Sequence, residues 1–271
     1  MIEQDWVTGS VVLSISGEPV EMELTVPAFP VKPQRMLPIF QQMTSAVVDM
    51  CASTVESEGL AVSCKAGCGA CCRQAVPISE VEAYHLAEIV NEMPEPRRTE
   101  VRRRFAAALE HFRKIAWFDK LVGLKDMSHA DEADFSPKQF MDTVLSYFHE
   151  NIACPFLEDE SCSIHPDRPL ICREYLVTSP AANCSSPSPE SIRRVPIFLK
   201  PSKAMLKVGR TANTEGISSL MLIEALDFVE RHADDFEEKS GERWAADLFG
   251  ELANTTIPET SEAAERPSML D

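Results

Sequence analysis

Eight of the nine cysteines in this chain fall into two groups whose residue type and spacing could build a metal centre. The first group is Cys64, Cys68, Cys71 and Cys72, in the run Cys-Lys-Ala-Gly-Cys-Gly-Ala-Cys-Cys. Cys68 and Cys71 form a C-x2-C pair, with Gly67 and Gly69 around the first thiol. Glycine lets the backbone turn tightly enough for amides to point at a sulfur, which suits tetrahedral zinc and a corner of an iron–sulfur cluster equally. Cys64 adds a third thiol just upstream. Cys71 and Cys72 are hard to place on one ion, because consecutive side chains diverge. One of them is therefore expected to serve a second centre or to stay unligated.

The second group is Cys154, Cys162 and Cys172, followed by Cys184, with seven, nine and eleven residues between successive cysteines. Gaps that wide rule out a local knuckle. These thiols must be gathered by tertiary structure, onto the first group, and the spacing leaves open whether one centre or two results. The C-x3-C-x2-C spacing of Cys64, Cys68 and Cys71 is also that of radical-SAM enzymes, in which three thiolates hold a [4Fe–4S] cluster. Gly69-Ala70 offers no aromatic before the third cysteine, however, and the surroundings read as helical rather than as an alternating strand–helix barrel.

Close thiols mean disulfides outside the cell and metal or redox chemistry inside it. The N-terminus has no basic region followed by an apolar one, and no stretch approaches the run of ~18 apolar residues that spans a bilayer. With 271 residues the chain is also long enough to bury a core without covalent staples. A cytoplasmic protein with no membrane partner is expected. The net charge of −17 repels phosphate backbones, so nucleic acid is not expected as a partner.

The elements that must position the thiols can be read along the chain. Val11, Leu13 and Ile15, then Val20, Met22, Leu24 and Val26, alternate with polar positions on either side of Gly17-Glu18-Pro19, which predicts a hairpin. A helix is expected over 34–58, with Phe40, Met43, Val47, Met50 and Cys51 on one face. That stripe makes the ninth cysteine a small core hydrophobe. Ser79 and Glu82 form a capping box opening a helix to about Asn91. The next helix, over 97–118, buries Val101, Phe105, Leu109, Phe112 and Ala116. It carries Arg97, Arg98, Arg102, Arg103, Arg104, Arg113 and Lys114 on a face expected to pair with nearby carboxylates. A helix beginning at Ser136-Pro137 should bury Phe140, Val144, Tyr147 and Phe148. A short strand is expected over Val195–Leu199, a strong helix over 217–235 and a shorter one near 242–252.

The pairing of Cys-x3-Cys-x2-Cys-Cys with Cys-Pro-Phe-Leu…Cys-Ser-Ile-His-Pro-Asp-Arg-Pro…Cys-Arg-Glu-Tyr closely resembles the YkgJ-like CxxCxxCC family. That family is described as zinc- or iron-chelating and includes flagellin lysine N-methylases. The matching stretches are 64–74 and 154–184. The resemblance implies a metal-binding domain with ligands at Cys64, Cys68, Cys71, Cys72, Cys154, Cys162 and Cys172, joined by Cys184. His165 stands where such motifs usually have tyrosine, which leaves a ligand role or a packing role open for it. Arg168 and Arg173 could donate hydrogen bonds to cluster sulfurs or offset thiolate charge. The alternative is an ordinary ion pair with Asp167 or Glu174. Tyr175 is read as packing, and His85, His111 and His232 as helix residues rather than ligands. No nucleotide-binding glycine motif, Walker sequence or HExxH occurs.

The expected fold is α+β and mainly α-helical. It comprises a short N-terminal β-hairpin (1–30), helices around a Cys-rich metal-binding core (31–252), and a disordered acidic tail (253–271). The expected function is that of a cysteine-cluster metalloprotein holding a [4Fe-4S] cluster or iron, with a structural or trafficked Zn2+ site as the alternative. An enzyme would be an iron–sulfur oxidoreductase or, as the flagellin methylase relatives suggest, a protein lysine N-methylase. The latter would use S-adenosylmethionine and act on a protein substrate. No catalytic residue is assigned.

Overall fold

The computed structural model describes residues 5–15, 18–121, 137–188, 190–215 and 219–254. It is an α+β fold, mainly helical, opened by a long hairpin. Strands β1 (Trp6–Ile15) and β2 (Glu18–Pro27) pair antiparallel in the register Val11↔Met22 and Leu13↔Val20, and the alternation turns Leu13, Ile15 and Val26 inward. Of the expected turn Gly17-Glu18-Pro19, Gly17 lies outside the described residues (as does Ser16), while Glu18 and Pro19 already belong to β2, paired with Ile15 and Ser14. β3 (Pro30–Val31) leads through a 3-10 turn into α1 (Leu37–Ser57). Cys51 is 1% exposed on α1, packed with Val47, Val48, Val55, Val195 and Ile197.

After the first cysteine group, β4 (Pro77–Ile78) runs into α2 (Glu80–Glu92), whose Ser79/Glu82 capping box is complete. α3 (Arg97–Lys114) buries Val101, Phe105, Leu109 and Phe112. It stops four residues earlier than the periodicity predicts. Ala116, expected on the buried face, is exposed with φ +52°, and this left-handed residue swings the chain so that Trp117 is buried instead. The basic face of α3 is neutralised as expected. Arg97 and Arg104 reach Glu158, Arg103 and Arg104 reach Glu100, Arg102 reaches Glu230, and Arg113 reaches Asp227.

α4 (Pro137–His149) stacks Tyr147 on Phe112 with ring centroids 3.8 Å apart. Ser136 and the side chain of Phe140, both part of the expected helix start, lie outside the described residues. The second cysteine group then follows on short elements: β5 (Leu157–Glu158), β6 (Ser161–Cys162) and the single-turn helix α5 (Leu170–Arg173).

Two expectations fail in the C-terminal third. Val195–Leu199 forms no strand: an isolated bridge, Val177↔Arg194, ends just before it, and Pro196 has no N–H to continue a ladder. The helix expected over 217–235 is largely replaced. Leu220–Met221 form β7 against β4, a 3-10 turn covers Leu222–Glu224, and only α7 (Ala225–Arg231) is helical. The run Leu220 to Ile223 is buried on every side, which suits a strand in the core rather than an amphipathic helix. Beyond it, the Tyr84 hydroxyl binds the carbonyls of His232 and Ala233 and holds the chain extended. A short helix, α6 (Pro201–Met205), packs on the last one, α8 (Gly241–Asn254), and β8 (Lys239–Ser240) pairs with β3. The tail expected over 253–271 lies outside the described residues from 255 onward. The four sheets among the described residues are each two-stranded, so the thiols are not framed by a barrel of parallel strands.

Candidate metal centre

The two cysteine groups meet at their backbones. Cys154 N–H donates to the Cys72 carbonyl at 2.7 Å, although 81 residues separate them in sequence. Nearby, Gly67 N–H donates to Ser161 Oγ at 3.2 Å and Ser63 N–H to the Val177 carbonyl at 2.9 Å. At the rim Arg73 donates to both Glu160 carboxylate oxygens, at 2.7 and 3.1 Å, and to the Gly69 carbonyl at 3.0 Å. Gly69 is glycine for want of space. A Cβ there would meet Glu160 Oε2 at 2.6 Å and Leu157 Cδ1 at 2.7 Å.

Each short element of the second group places a thiol by burying its neighbour. Asp159 and Glu160 both take positive φ, +49° and +56°, making the tight two-residue turn between β5 and β6. Phe156 and Ile164, each two residues beyond a cysteine, sit in the main core at 1% and 5% exposure. Their amides point back: the Phe156 N–H donates to the Cys154 sulfur and the Ile164 N–H to the Cys162 sulfur. Cys64 receives a third such bond from Val177 N–H. Main-chain donors aimed at sulfur stabilise thiolate, the form that binds metal.

α5, which carries Cys172, is held from α2. Glu82 is buried, and its Oε2 accepts from Ser79 N–H and Ser79 Oγ, both at 2.8 Å. Its Oε1 accepts from Leu170 N–H at 2.9 Å. The capping box was legible in sequence; the second use of its glutamate was not. Burial pushes the Glu82 carboxyl up, against the pull of its donors. Glu174, just past α5, likewise accepts from Ser202 N–H at 2.8 Å and Ser202 Oγ at 2.6 Å. Neither clamp has a local sequence signal, since each partner lies tens of residues away.

All eight thiols converge. Cys154, Cys162 and Cys172 lie within electrostatic reach of one another and of Cys71. Cys64, Cys68 and Cys184 do so among themselves, and Cys64 and Cys184 also face Cys71. The 3-10 turn that carries Cys71 and Cys72 packs on the turn that carries Cys184. Cys71 and Cys72 are in side-chain hydrogen-bond contact, so their sulfurs do not diverge as expected. That contact, and then burial, push the Cys71 thiol up; burial lifts Cys154 to about 12 and Cys172 well above the ordinary range. A bound cation reverses this balance, since coordination deprotonates a thiol. Among the described residues no group of three or more His, Cys, Asp or Glu side chains closes around a point where one metal ion would sit. All nine cysteines are free thiols.

Arg168 lies within electrostatic reach of Cys64, Cys71 and Cys162, and its buried Nε has no hydrogen-bond partner. An orphaned donor facing thiols fits a site whose acceptors are sulfur. Arg173 differs. It donates to the carbonyls of Arg168 and Pro166 and to Ser45 Oγ, bracing the loop while facing Cys162 and Cys172. Neither arginine is paired with Asp167 or Glu174 among the described residues. His165 is exposed beside Arg168 and Arg173, Tyr175 packs under Arg194, and His111 binds Glu150.

Comparison with known families agrees with this geometry. Residues 63–190, a little under half of the chain, match the CxxCxxCC family, described as a "putative zinc- or iron-chelating domain". That stretch of the chain is similar to the CxxCxxCC domain. The domain contains all eight converging cysteines and leaves out Cys51. No curated protein matches the chain, and no solved structure matches it. No helix among the described residues is long and apolar enough to cross a membrane. Two open cavities of about 560 Å3 are present elsewhere, and no cysteine lines either.

Proposed function

We propose that the CxxCxxCC domain holds an iron–sulfur centre on the thiolates of Cys64, Cys68, Cys71, Cys72, Cys154, Cys162, Cys172 and Cys184. Arg168 supplies a fixed positive charge to the thiolates, and Arg173 braces the loop that presents Arg168 and Cys172. The observation that carries this reading is the approach of thiols from two distant segments, joined where the Cys154 N–H donates to the Cys72 carbonyl. Four thiolates around one zinc ion stand about 3.8 Å apart, as tetrahedral geometry at Zn–S of about 2.3 Å requires. Many thiols drawn from distant segments, with amide donors on the sulfurs, suit a multi-atom centre better than one ion. Such a centre supplies electron transfer or a Lewis-acidic iron. The chain's own residues provide the thiolates, exclude water with Phe156, Ile164 and Leu170, and tune the sulfurs through main-chain amides and Arg168.

Anaerobic purification, with iron, zinc and acid-labile sulfide measured on one sample beside its optical spectrum, tests the reading. Iron with matching sulfide and a broad absorption in the blue is expected. Colourless protein with stoichiometric zinc would replace it with a structural or trafficking zinc site.

A further inference from the structure

The two edges of the N-terminal hairpin are built differently. The Ala28 N–H donates to the Asp5 carbonyl at 3.0 Å, one step beyond the Trp6↔Pro27 pair, and this fixes the phase of the ladder. Odd-numbered residues of β1 bond to even-numbered residues of β2, and the main-chain groups between them point away from the hairpin on each side. On β2 those outward positions are Pro19, Glu21, Glu23, Thr25 and Pro27. Two prolines without an N–H and two charges are devices that keep an edge from pairing. On β1 the outward positions are Trp6, Thr8, Ser10, Val12 and Ser14. The ten residues of β1 contain no charge and no proline, and their register runs unbroken from Trp6 to Ile15. Among the described residues β1 is hydrogen-bonded to no strand but β2. Trp6 is 49% and Val12 64% exposed, and they are two of the four exposed large apolar side chains among the described residues.

We infer that the β1 edge pairs with β1 of a second copy of the chain, antiparallel about Gly9. Trp6 and Val12 lie three residues to either side of Gly9. This register therefore sets Trp6 against Val12 of the partner subunit and Thr8 against Ser10 of the partner subunit, and a two-fold axis makes each contact twice. Even positions meet even positions, so the outward N–H and carbonyl groups of one copy meet those of the other, and the exposed apolar side chains share a face. The glycine on the axis falls at a non-hydrogen-bonded pair, where facing Cα atoms come closest, and no atom stands within 4 Å of where its Cβ would be. Charge favours the same partner. At a net charge of −17 two copies repel through most surfaces, and an uncharged strand is where they can meet. A basic partner would choose the acidic surface instead. A strand edge is a small interface, so the dimer should come apart on dilution. The inference does not depend on the metal.

Sedimentation velocity of the full-length protein over a range of concentrations tests it, under reducing conditions so that free thiols link no copies. Wild type is expected to pass from monomer to dimer as concentration rises. T8K/S10K, which sets lysine against lysine across the axis, is expected to stay monomeric. T8E/S10K, which sets glutamate against lysine, is expected to dimerise. Both double variants lose the 2.9 Å hydroxyl bond between Thr8 and Thr25, and both place a lysine opposite Glu23, so they perturb the hairpin comparably and differ in the pairing across copies. If the charged variants fail to fold, Val12→Ser decides. It removes the contact with Trp6 twice and should raise the dimer dissociation constant about tenfold. Wild-type protein that sediments as a monomer at every concentration overturns the inference and leaves the edge to a strand of another protein. A T8K/S10K variant that dimerises as wild type does, a T8E/S10K variant that stays monomeric, or a Val12→Ser variant that dimerises as tightly as wild type overturns it too.

Discussion

Removing the Glu82 carboxylate should cost more than removing the cap it completes. In Ser79→Ala the chain loses one buried hydroxyl, and with it the hydrogen bond to Glu82 N–H at 3.2 Å, a change worth about 1 kcal/mol at a helix N-cap. In Glu82→Ala two main-chain donors, Ser79 N–H and Leu170 N–H, lose their partner inside the core. An orphaned buried donor costs about 1–3 kcal/mol, and the relief of desolvating a carboxylate offsets part of the sum. About 2–4 kcal/mol remains, out of the roughly 5–15 kcal/mol that holds a typical domain together. Urea unfolding of the two variants beside wild type measures the difference. Because Leu170 begins the helix that carries Cys172, Glu82→Ala should also bind metal less well, whereas Ser79→Ala should keep wild-type metal content. The reasoning is refuted if Glu82→Ala is no more destabilising than Ser79→Ala, or if both retain metal equally.

Further expectations concern the same scaffold. Burial raises the Glu82 carboxyl in the folded chain, so the stability it contributes is present below the ordinary carboxylate range and is lost as pH rises through its folded value. The stability gap between wild type and Glu82→Gln should therefore narrow as pH rises from about 4.5, and a gap that widens contradicts the assignment. Gly69→Ala should push the Glu160 turn off the first cysteine loop and destabilise the fold by about 1–3 kcal/mol. A thermal melt that matches wild type counts against the close approach. Cys51→Ser, which puts a hydroxyl among Val47, Val48 and Val55, should cost about 1–3 kcal/mol yet leave metal per chain unchanged. Loss of metal in that variant would make Cys51 a ligand.

Local pattern reads well in this chain where each residue answers to its neighbours. The hairpin alternation, the stripe on α1 that buries Cys51, the Ser79/Glu82 box and the paired arginines of α3 were all visible as periodicity or spacing. The run Leu220–Ile223 was not, because an apolar stretch buried on all sides has no face to give it a period. Ala116 ended α3 early through a left-handed backbone that alanine does not advertise. At the metal centre the residue types were legible and the spacing between the groups was not. The contacts that bring Cys154 against Cys72, and α5 against Glu82, join positions more than 80 residues apart. The clamping glutamates and the unpartnered Arg168 Nε belong to tertiary structure alone.

X-ray absorption at the iron and zinc edges of the anaerobically purified full-length protein tests the central claim most directly, because it reads the atoms around the metal. The account predicts iron bound by sulfur, with a second shell of iron at cluster distance. A zinc edge with four sulfurs and no metal neighbour would contradict it.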